Sequence, residues 1–253
     1  MATTERTLSF EAPSRLATFL ELRAPIDWAS VLLRAPQLAC ASKGDGRPIM
    51  LLPGYGTDER SMRPLGRYLK YLGYDVHDWG LGRNRGDVDE DMVRVGERAR
   101  KLQDERGGAS ITLIGWSLGG VVAREAARLF EPHIREVITL GTPIVGGPKY
   151  TVVADQFAKI ANINLDEFER EVHERNSIGI RQPLTCIYSR SDGVVGWRAC
   201  IDTYNDQARN IEVSTSHFGI GVNGSVWKII ADTLSLSAAS PSLKNDATQQ
   251  SCR

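Results

Sequence analysis

Ser117 stands in Gly115-Trp116-Ser117-Leu118-Gly119, a G-x-S-x-G run. A serine hydroxyl is a feeble nucleophile at neutral pH and needs a neighbouring base to take its proton. Five residues of this pattern arise easily by chance, so the setting carries the meaning. The motif directly follows the apolar run Ile111-Thr112-Leu113-Ile114 and opens a helical pattern. That is the strand–turn–helix context of a nucleophile elbow, in which bulky neighbours would collide and glycine is needed on both sides of the serine. Gly119-Gly120 then lets the helix pack close to the sheet. The plain alternative is an ordinary strand-to-helix turn.

The base must come from four histidines. His77 precedes the serine at the end of a strand pattern and suits a structural role. His133 follows Pro132 between a helix and a strand, on the face away from the strand ends, and His173 sits in the charged run Glu169 to Arg175. His217 comes in a loop straight after the last short strand, at the same edge of the sheet as Ser117, and is the expected base. An imidazole needs a carboxylate to fix its tautomer and stabilise the imidazolium. Asp192, in Ser191-Asp192-Gly193 right after the strand Leu184 to Tyr188, is the candidate. Asp202 and Asp206 stand in reserve, and Asp192 shaping a turn with Gly193 is the bland reading. The oxyanion of a tetrahedral intermediate wants two backbone N–H donors. Leu118 at the start of the helix and Tyr55 in Pro53-Gly54-Tyr55-Gly56 are expected to supply them.

Trp116, Trp79, Leu81 and Phe157 are candidates to line an apolar substrate pocket, with packing as the competing role for Trp79 and Leu81. Arg83 and Arg85 either meet an acidic substrate group or are solvated loop charges. Gly219-Ile220-Gly221-Val222-Asn223-Gly224 fits G-x-G-x-x-G, but no βαβ unit follows it, so a dinucleotide site is not expected.

The elements that must position these residues alternate. Ile49 to Leu52 reads as a buried strand. Ser61 is expected to cap a helix with Leu65, Tyr68, Leu69 and Leu72 on one face, ended by Gly73. Tyr74 to His77 is a short strand. A helix then starts in the acidic cluster Asp87 to Asp91 and buries Val88, Met92, Val95, Ala99 and Leu102. Strands at 111–114, 137–140, 184–188 and 211–213, a helix at 118–130 and a last helix through Val226, Ile229, Ile230 and Leu234 complete the pattern. Strands alternating with helices imply a parallel sheet covered on both faces, with sites at the strand C-termini. Residues 11 to 39 read as two short helices broken at Pro25, with Leu16, Phe19 and Leu20 on one face. The connection from Pro143 to Pro183 is too long for an ordinary loop, and its own helical patterns suggest an inserted cap. The expected division is a helical segment at 1–47, a core at 48–143 and 184–235, a helical cap at 144–183 and a flexible tail at 236–253.

Composition bounds the alternatives. The chain has 253 residues, a length suited to one α/β domain with a modest insertion. Its 31 basic and 31 acidic residues cancel, so an electrostatic grip on nucleic acid or an anionic membrane is not expected. Apolar runs are too short to span a bilayer. The start Met1 to Arg6 leads into no apolar h-region, and a cytoplasmic location is expected. Cys40, Cys186, Cys200 and Cys252 are scattered, without metal or disulfide spacing, so no metal and no other cofactor are expected.

In this order the motifs resemble the α/β-hydrolase superfamily, in its lipase/esterase-like branch, over about residues 48 to 235. The resemblance rests on Leu51-Leu52-Pro53-Gly54-Tyr55-Gly56, Gly115 to Gly120, Leu140-Gly141-Thr142-Pro143, Ser191-Asp192-Gly193-Val194-Val195 and Ser216-His217-Phe218-Gly219. It implies an α/β-hydrolase fold, a serine nucleophile, an acyl-enzyme and a cap where the long connection falls. Two departures stand out. Pro53-Gly54 replaces the family's His-Gly, and no leading strands precede Pro48, so a mostly parallel sheet of about six strands is expected rather than eight. Together these features predict a serine hydrolase of carboxylic esters, acting on a small-molecule ester or lipid through Ser117, His217 and Asp192. Acyl transfer by the same triad, and a non-catalytic binding protein that kept the fold, are the other readings. Oligomeric state is not encoded in any of these patterns.

Overall fold

A computed structural model describes residues 10–239 of the chain. The opening residues Met1 to Arg6 and the segment 240–253 lie outside the described residues, as do the side chains of Leu16 and Leu20. Six strands form one fully parallel sheet: β1 (Pro48–Leu52), β2 (Asp75–Asp78), β3 (Ile111–Trp116), β4 (Ile134–Leu140), β5 (Leu184–Ser189) and β6 (Arg209–Val213). Their spatial order is β2-β1-β3-β4-β5-β6. The chain therefore starts inside the sheet, moves to one edge, then crosses back and steps outward. The reversal falls between β1 and β3, where an open α/β sheet parts its loops to make a crevice.

Alternation along each strand sends side chains to two separate cores. Ile49, Leu51, Ile114 and Trp116 pack on one face with Leu65, Leu69 and Leu72 of α4 (Arg63–Leu72) and with Val226, Ile230 and Leu234 of α9 (Gly224–Ala239). Met50, Leu52, Ile111 and Leu113 pack on the other. Their partners are Val95, Ala99 and Leu102 of α5 (Val88–Glu105) and Val122, Ala123 and Ala126 of α6 (Leu118–Leu129). Each large aliphatic side chain removed from water this way contributes about 1.5–3 kcal/mol. The acidic start of α5 behaves as expected, since Asp87 caps it through Glu90 N–H at 3.2 Å.

Several boundaries differ from the sequence expectations. Pro25 does not break a helix; it lies in the first turn of α2 (Ala24–Leu33), preceded by α1 (Arg15–Thr18) and a 3-10 turn over Phe19–Arg23. A proline lacks the N–H that the first turn leaves unused, so it starts helices well. The break comes at Arg34, before α3 (Ala35–Ala39) with Pro36 in its own first turn. Ser61 does not cap α4. Asp58 caps a 3-10 turn over Glu59–Ser61, and α4 begins at Arg63 with Pro64 in its first turn. The last helix runs on through Ala239, beyond the expected end of the core.

Between β4 and β5 the chain forms a 3-10 turn over Gly147–Tyr150, then α7 (Ala154–Ala161) and α8 (Leu165–Ser177). Asn176 ties α8 to the body of the fold by donating to the Ile144 carbonyl at 2.8 Å and accepting from Arg124 of α6 at 3.3 Å. The segment before α7 returns to the loop after β5: Gly196 N–H donates to the Tyr150 carbonyl and Val152 N–H to the Val194 carbonyl.

Candidate active site

Ser117 occupies the turn between β3 and α6. Its backbone has φ 52° and ψ −121°, and Asn162 is the only other non-glycine residue with positive φ among the described residues. Such a conformation costs on the order of 1–3 kcal/mol and persists only where the surroundings enforce it. Here they do. The Ser117 N–H donates to the Leu140 carbonyl at 2.8 Å. A Cβ on Gly115 would stand 2.4 Å from the Gly119 carbonyl oxygen, and one on Gly119 would stand 2.4 Å from the Leu52 oxygen. The turn is thus too tight for anything but glycine at both positions. Although Ser117 precedes α6 as its N-cap residue, its hydroxyl makes no capping hydrogen bond, which leaves the oxygen free for chemistry.

The loops after β5 and β6 bring Asp192 and His217 together. Asp192 Oδ2 accepts a hydrogen bond from His217 Nδ1 at 2.7 Å, with both residues buried. Because a carboxylate can only accept, the proton sits on Nδ1 and Nε2 carries the free lone pair. Asp192 Oδ1 takes the N–H groups of Val194 and Val195 at 2.8 and 2.7 Å, which fixes the carboxylate in rotation. The ends of β4 and β3 also back this pair. A Cβ on Gly141 would lie 3.1 Å from Asp192 Oδ2 and 3.2 Å from His217 Nδ1. Trp116, the neighbour of Ser117, donates from Nε1 to the His217 carbonyl at 3.2 Å, and its ring centre lies 5.6 Å from the imidazole. Among the described residues no hydrogen bond joins Ser117 Oγ to His217. Catalytic hydrogen bonds are often loose before substrate binds.

The other histidines have structural partners. His77 pairs with Asp75 at 2.8 Å, His133 with Gln103 at 2.6 Å and His173 with the Tyr204 hydroxyl at 3.1 Å. Asp202 is also committed: it forms a buried ion pair with Arg124 and accepts the Tyr204 and Asn205 N–H groups. Cys200 lies buried near Asp192. Burial pushes its thiol well above its ordinary value, and the nearby carboxylate adds to the effect, so it stays protonated and is no rival nucleophile.

Neither expected oxyanion donor meets an acceptor among the described residues. Leu118 is the first residue of α6, so its N–H has no intrahelical acceptor and lies at the positive end of the helix dipole. The Tyr55 N–H meets no acceptor among the described residues, and the ring is half exposed against Gly86.

What holds the Tyr55 loop in place was missed in the sequence. Asn84 is fully buried and donates from its side chain to the Pro53 carbonyl at 2.9 Å. Its backbone carbonyl accepts Gly56 N–H, and its N–H donates to the Thr57 carbonyl. The signal in the sequence is its place between Arg83 and Arg85 in the glycine-rich run from Gly80 to Gly86, where an uncharged amide is the one polar side chain suited to burial. Arg83 itself donates to the Gly56 carbonyl at 2.7 Å.

The pocket expectations need correction. Trp79 is completely buried among Met50, Leu52, Val95 and Ala99, donating to the Gly82 carbonyl at 2.9 Å, and Leu81 packs against the same core. Trp79 therefore serves packing, while Leu81 is only partly buried against that core. Phe157 meets Phe168 edge-on, centroids 6.2 Å apart, across α7 and α8. Trp116 stays beside His217.

The fold and this arrangement define an α/β-hydrolase, and the chain is a member of that superfamily. Residues 50–175 match the family model for the alpha/beta hydrolase fold. A curated relative, the pimeloyl-[acyl-carrier protein] methyl ester esterase of a Shewanella species, is 30% identical over 108 residues, 42% of this chain and 39% of the esterase. The match thus spans well under half of that relative. Among solved structures, a monoacylglycerol lipase of Paleococcus ferrophilus superposes with a TM-score of 0.58 at 15% identity, covering 78% of this chain and 97% of the lipase. A mature lipase of Bacillus licheniformis gives 0.56 at 15% identity, over 76% and 94%. At such identity the likeness concerns the fold. Among the described residues no helix is long and apolar enough to cross a membrane.

Proposed function

We propose that the protein is a serine hydrolase of carboxylic esters that works through an acyl-enzyme. The observations that support this reading are the buried Asp192–His217 hydrogen bond and the strained, uncapped backbone of Ser117. Ser117 Oγ attacks the ester carbonyl carbon while its proton passes to His217 Nε2. The oxyanion formed accepts the Tyr55 and Leu118 N–H groups. Collapse breaks the bond to the alkoxy oxygen, which takes the proton from His217 and departs as alcohol. Water then gives a proton to Nε2, attacks the acyl carbon and releases the acid as Ser117 regains its proton. Asp192 holds the tautomer throughout. Every atom and proton is accounted for by Ser117, His217, water and ester, so no cofactor is required. Trp116 and the helical insertion, with Phe157, form the apolar acyl side in this reading. The ester class agrees with the name of the curated relative.

The test is labelling with a fluorophosphonate, which phosphonylates only an activated serine, alongside hydrolysis of a chain-length series of p-nitrophenyl esters. Wild-type protein should label and turn over. Ser117→Ala should do neither, and His217→Ala should label far more slowly. Labelling retained in Ser117→Ala refutes the assignment.

A further inference from the structure

The segment before β1 reaches into both loops that carry the acid and the base. Glu21 Oε1 accepts the Gly193 N–H at 2.8 Å and the His217 N–H at 2.9 Å, while Oε2 accepts the Phe218 N–H at 2.9 Å. One carboxylate therefore bridges the residue after Asp192 to His217 itself. Six residues on, the buried Asp27 accepts the Ser216 N–H at 3.2 Å, the Ser216 hydroxyl at 2.9 Å and the Asn223 amide at 2.9 Å.

The fit is close on both loops. A Cβ on Gly193 would stand 2.3 Å from the Ala17 carbonyl oxygen, and one on Gly219 would stand 1.9 Å from Asp27 Oδ2. The polarity of this segment is the reverse of an ordinary surface helix. Glu21 and Asp27 turn inward to hydrogen-bond the loops around Asp192 and His217, and Ser30 accepts the first N–H of α9, while Leu22, Ile26, Trp28 and Leu33 face outward and Val31 is partly buried against the core. A helix that merely covered the hydrolase core would place its apolar side chains against it.

We propose that Glu21 is a positioning residue of the active site, a carboxylate clamp that holds the Asp192 loop and the His217 loop in register. The proposal rests on the catalytic reading above, since it assigns what Glu21 does for the acid–base pair. Ser189 Oγ, which donates to the Thr215 carbonyl and accepts the Thr215 N–H, ties the two loops near the strand ends. Glu21 adds a tie at Gly193, His217 and Phe218, next to the acid–base pair itself. Without them the Nδ1–Oδ2 contact has freedom to open, and misplacement of a catalytic group by about 1 Å can cost about 10²-fold in rate. Substrate does not meet Glu21, so the loss falls on kcat and leaves KM in place.

The experiment compares Glu21→Ala, Glu21→Gln and, as a control on the outward face, Leu33→Ala. It measures ester hydrolysis, thermal unfolding and the downfield proton resonance of His217 Nδ1–H, assigned by its loss in Asp192→Asn. Glu21→Ala is expected to lower kcat by about 10²-fold with KM within about twofold, and to broaden or lose the downfield signal. Glu21→Gln, whose amide oxygen can still accept, should recover most of the rate and the signal. Leu33→Ala should leave both unchanged. Wild-type kcat and an intact resonance in a folded Glu21→Ala overturn the proposal. So does a folded Glu21→Gln that is as impaired as Glu21→Ala, or, should Glu21→Ala not fold, a Glu21→Gln whose rate falls while its downfield signal stays that of wild type. Should wild-type protein hydrolyse no ester, the resonance still reports whether Glu21 holds the pair, so failure of the catalytic reading is seen separately.

Discussion

Asp192 presents one carboxylate oxygen to His217 Nδ1 at 2.7 Å and commits the other to the Val194 and Val195 N–H groups. The division of labour leaves the acid no freedom to rotate away from the imidazole. Asp192→Asn should keep the fold but put an amide where the acceptor charge was. Loss of activity on the order of 10⁴-fold is expected, the scale known when a triad acid of this kind is neutralised. Steady-state kinetics on an activated ester checks it, and a loss below about tenfold would remove Asp192 from the proposed triad.

Asn84 should act on the oxyanion loop without touching substrate. In Asn84→Ala the buried Pro53 carbonyl loses its donor, at a cost of about 1–3 kcal/mol of stability. The rate should fall by about tenfold or more, short of the roughly 10²–10³-fold that loss of an oxyanion donor itself costs. Denaturant unfolding with kinetics on the same samples separates the two effects.

Asp202 tests the distinction between a catalytic and a structural carboxylate. Its ion pair with Arg124 is buried, so Asp202→Ala strands a guanidinium and should destabilise by about 3–5 kcal/mol. The activity of the fraction that remains folded should be unchanged. A specific loss of kcat at full stability would instead restore Asp202 as an alternative acid.

The elbow glycines allow a steric test with an internal control. Gly119→Ala places a methyl 2.4 and 2.5 Å from the Leu52 and Pro53 carbonyl oxygens, which are backbone and cannot swing aside. A loss of at least about 1–3 kcal/mol is expected, together with loss of fluorophosphonate labelling. Gly221→Ala, where a methyl meets nothing within 4 Å, should be tolerated in the same melting and labelling assays.

Glu136 carries a pH signature. It lies buried on β4 beside Thr112, Ser237 and Arg47. Burial raises its carboxyl above the ordinary 4.5, and the hydrogen bonds and Arg47 offset this only in part. The folded state therefore holds this proton to higher pH than the unfolded state does. Its stabilising contribution is complete below about 4.5 and is lost as pH rises through the folded value. The Tm of wild type relative to Glu136→Gln should accordingly fall as pH rises above 4.5. A difference that is flat or grows with pH contradicts the assignment.

Much of this molecule is local in origin. Apolar runs bounded by proline and glycine mark β1, β3 and β4; the 3.6-residue spacing marks α4, α5 and α9; and G-x-S-x-G after a strand marks the elbow. These signals are legible because backbone preference and side-chain alternation act over a few residues. That Ser117, Asp192 and His217 follow the ends of β3, β5 and β6 was legible for a related reason, since a parallel sheet sends all its strand C-termini to one edge.

What the order of residues left open belongs to contacts between distant segments. Trp79 looked as suited to a pocket as to a core, and only the direction in which its strand end meets α5 decided for the core. Glu21, Asp27 and Asn84 are unremarkable polar residues in the chain, with no motif to flag them. They become part of the site because folding brings Glu21 against N–H groups 172 to 197 positions away, and Asn84 against a carbonyl 31 positions away. Propensity and periodicity act within an element, whereas the hydrogen-bond satisfaction of buried loops is settled between elements. The sequence thus determined the strands, most of the helices and the candidate reactive side chains, and the tertiary structure decided which polar groups hold their loops.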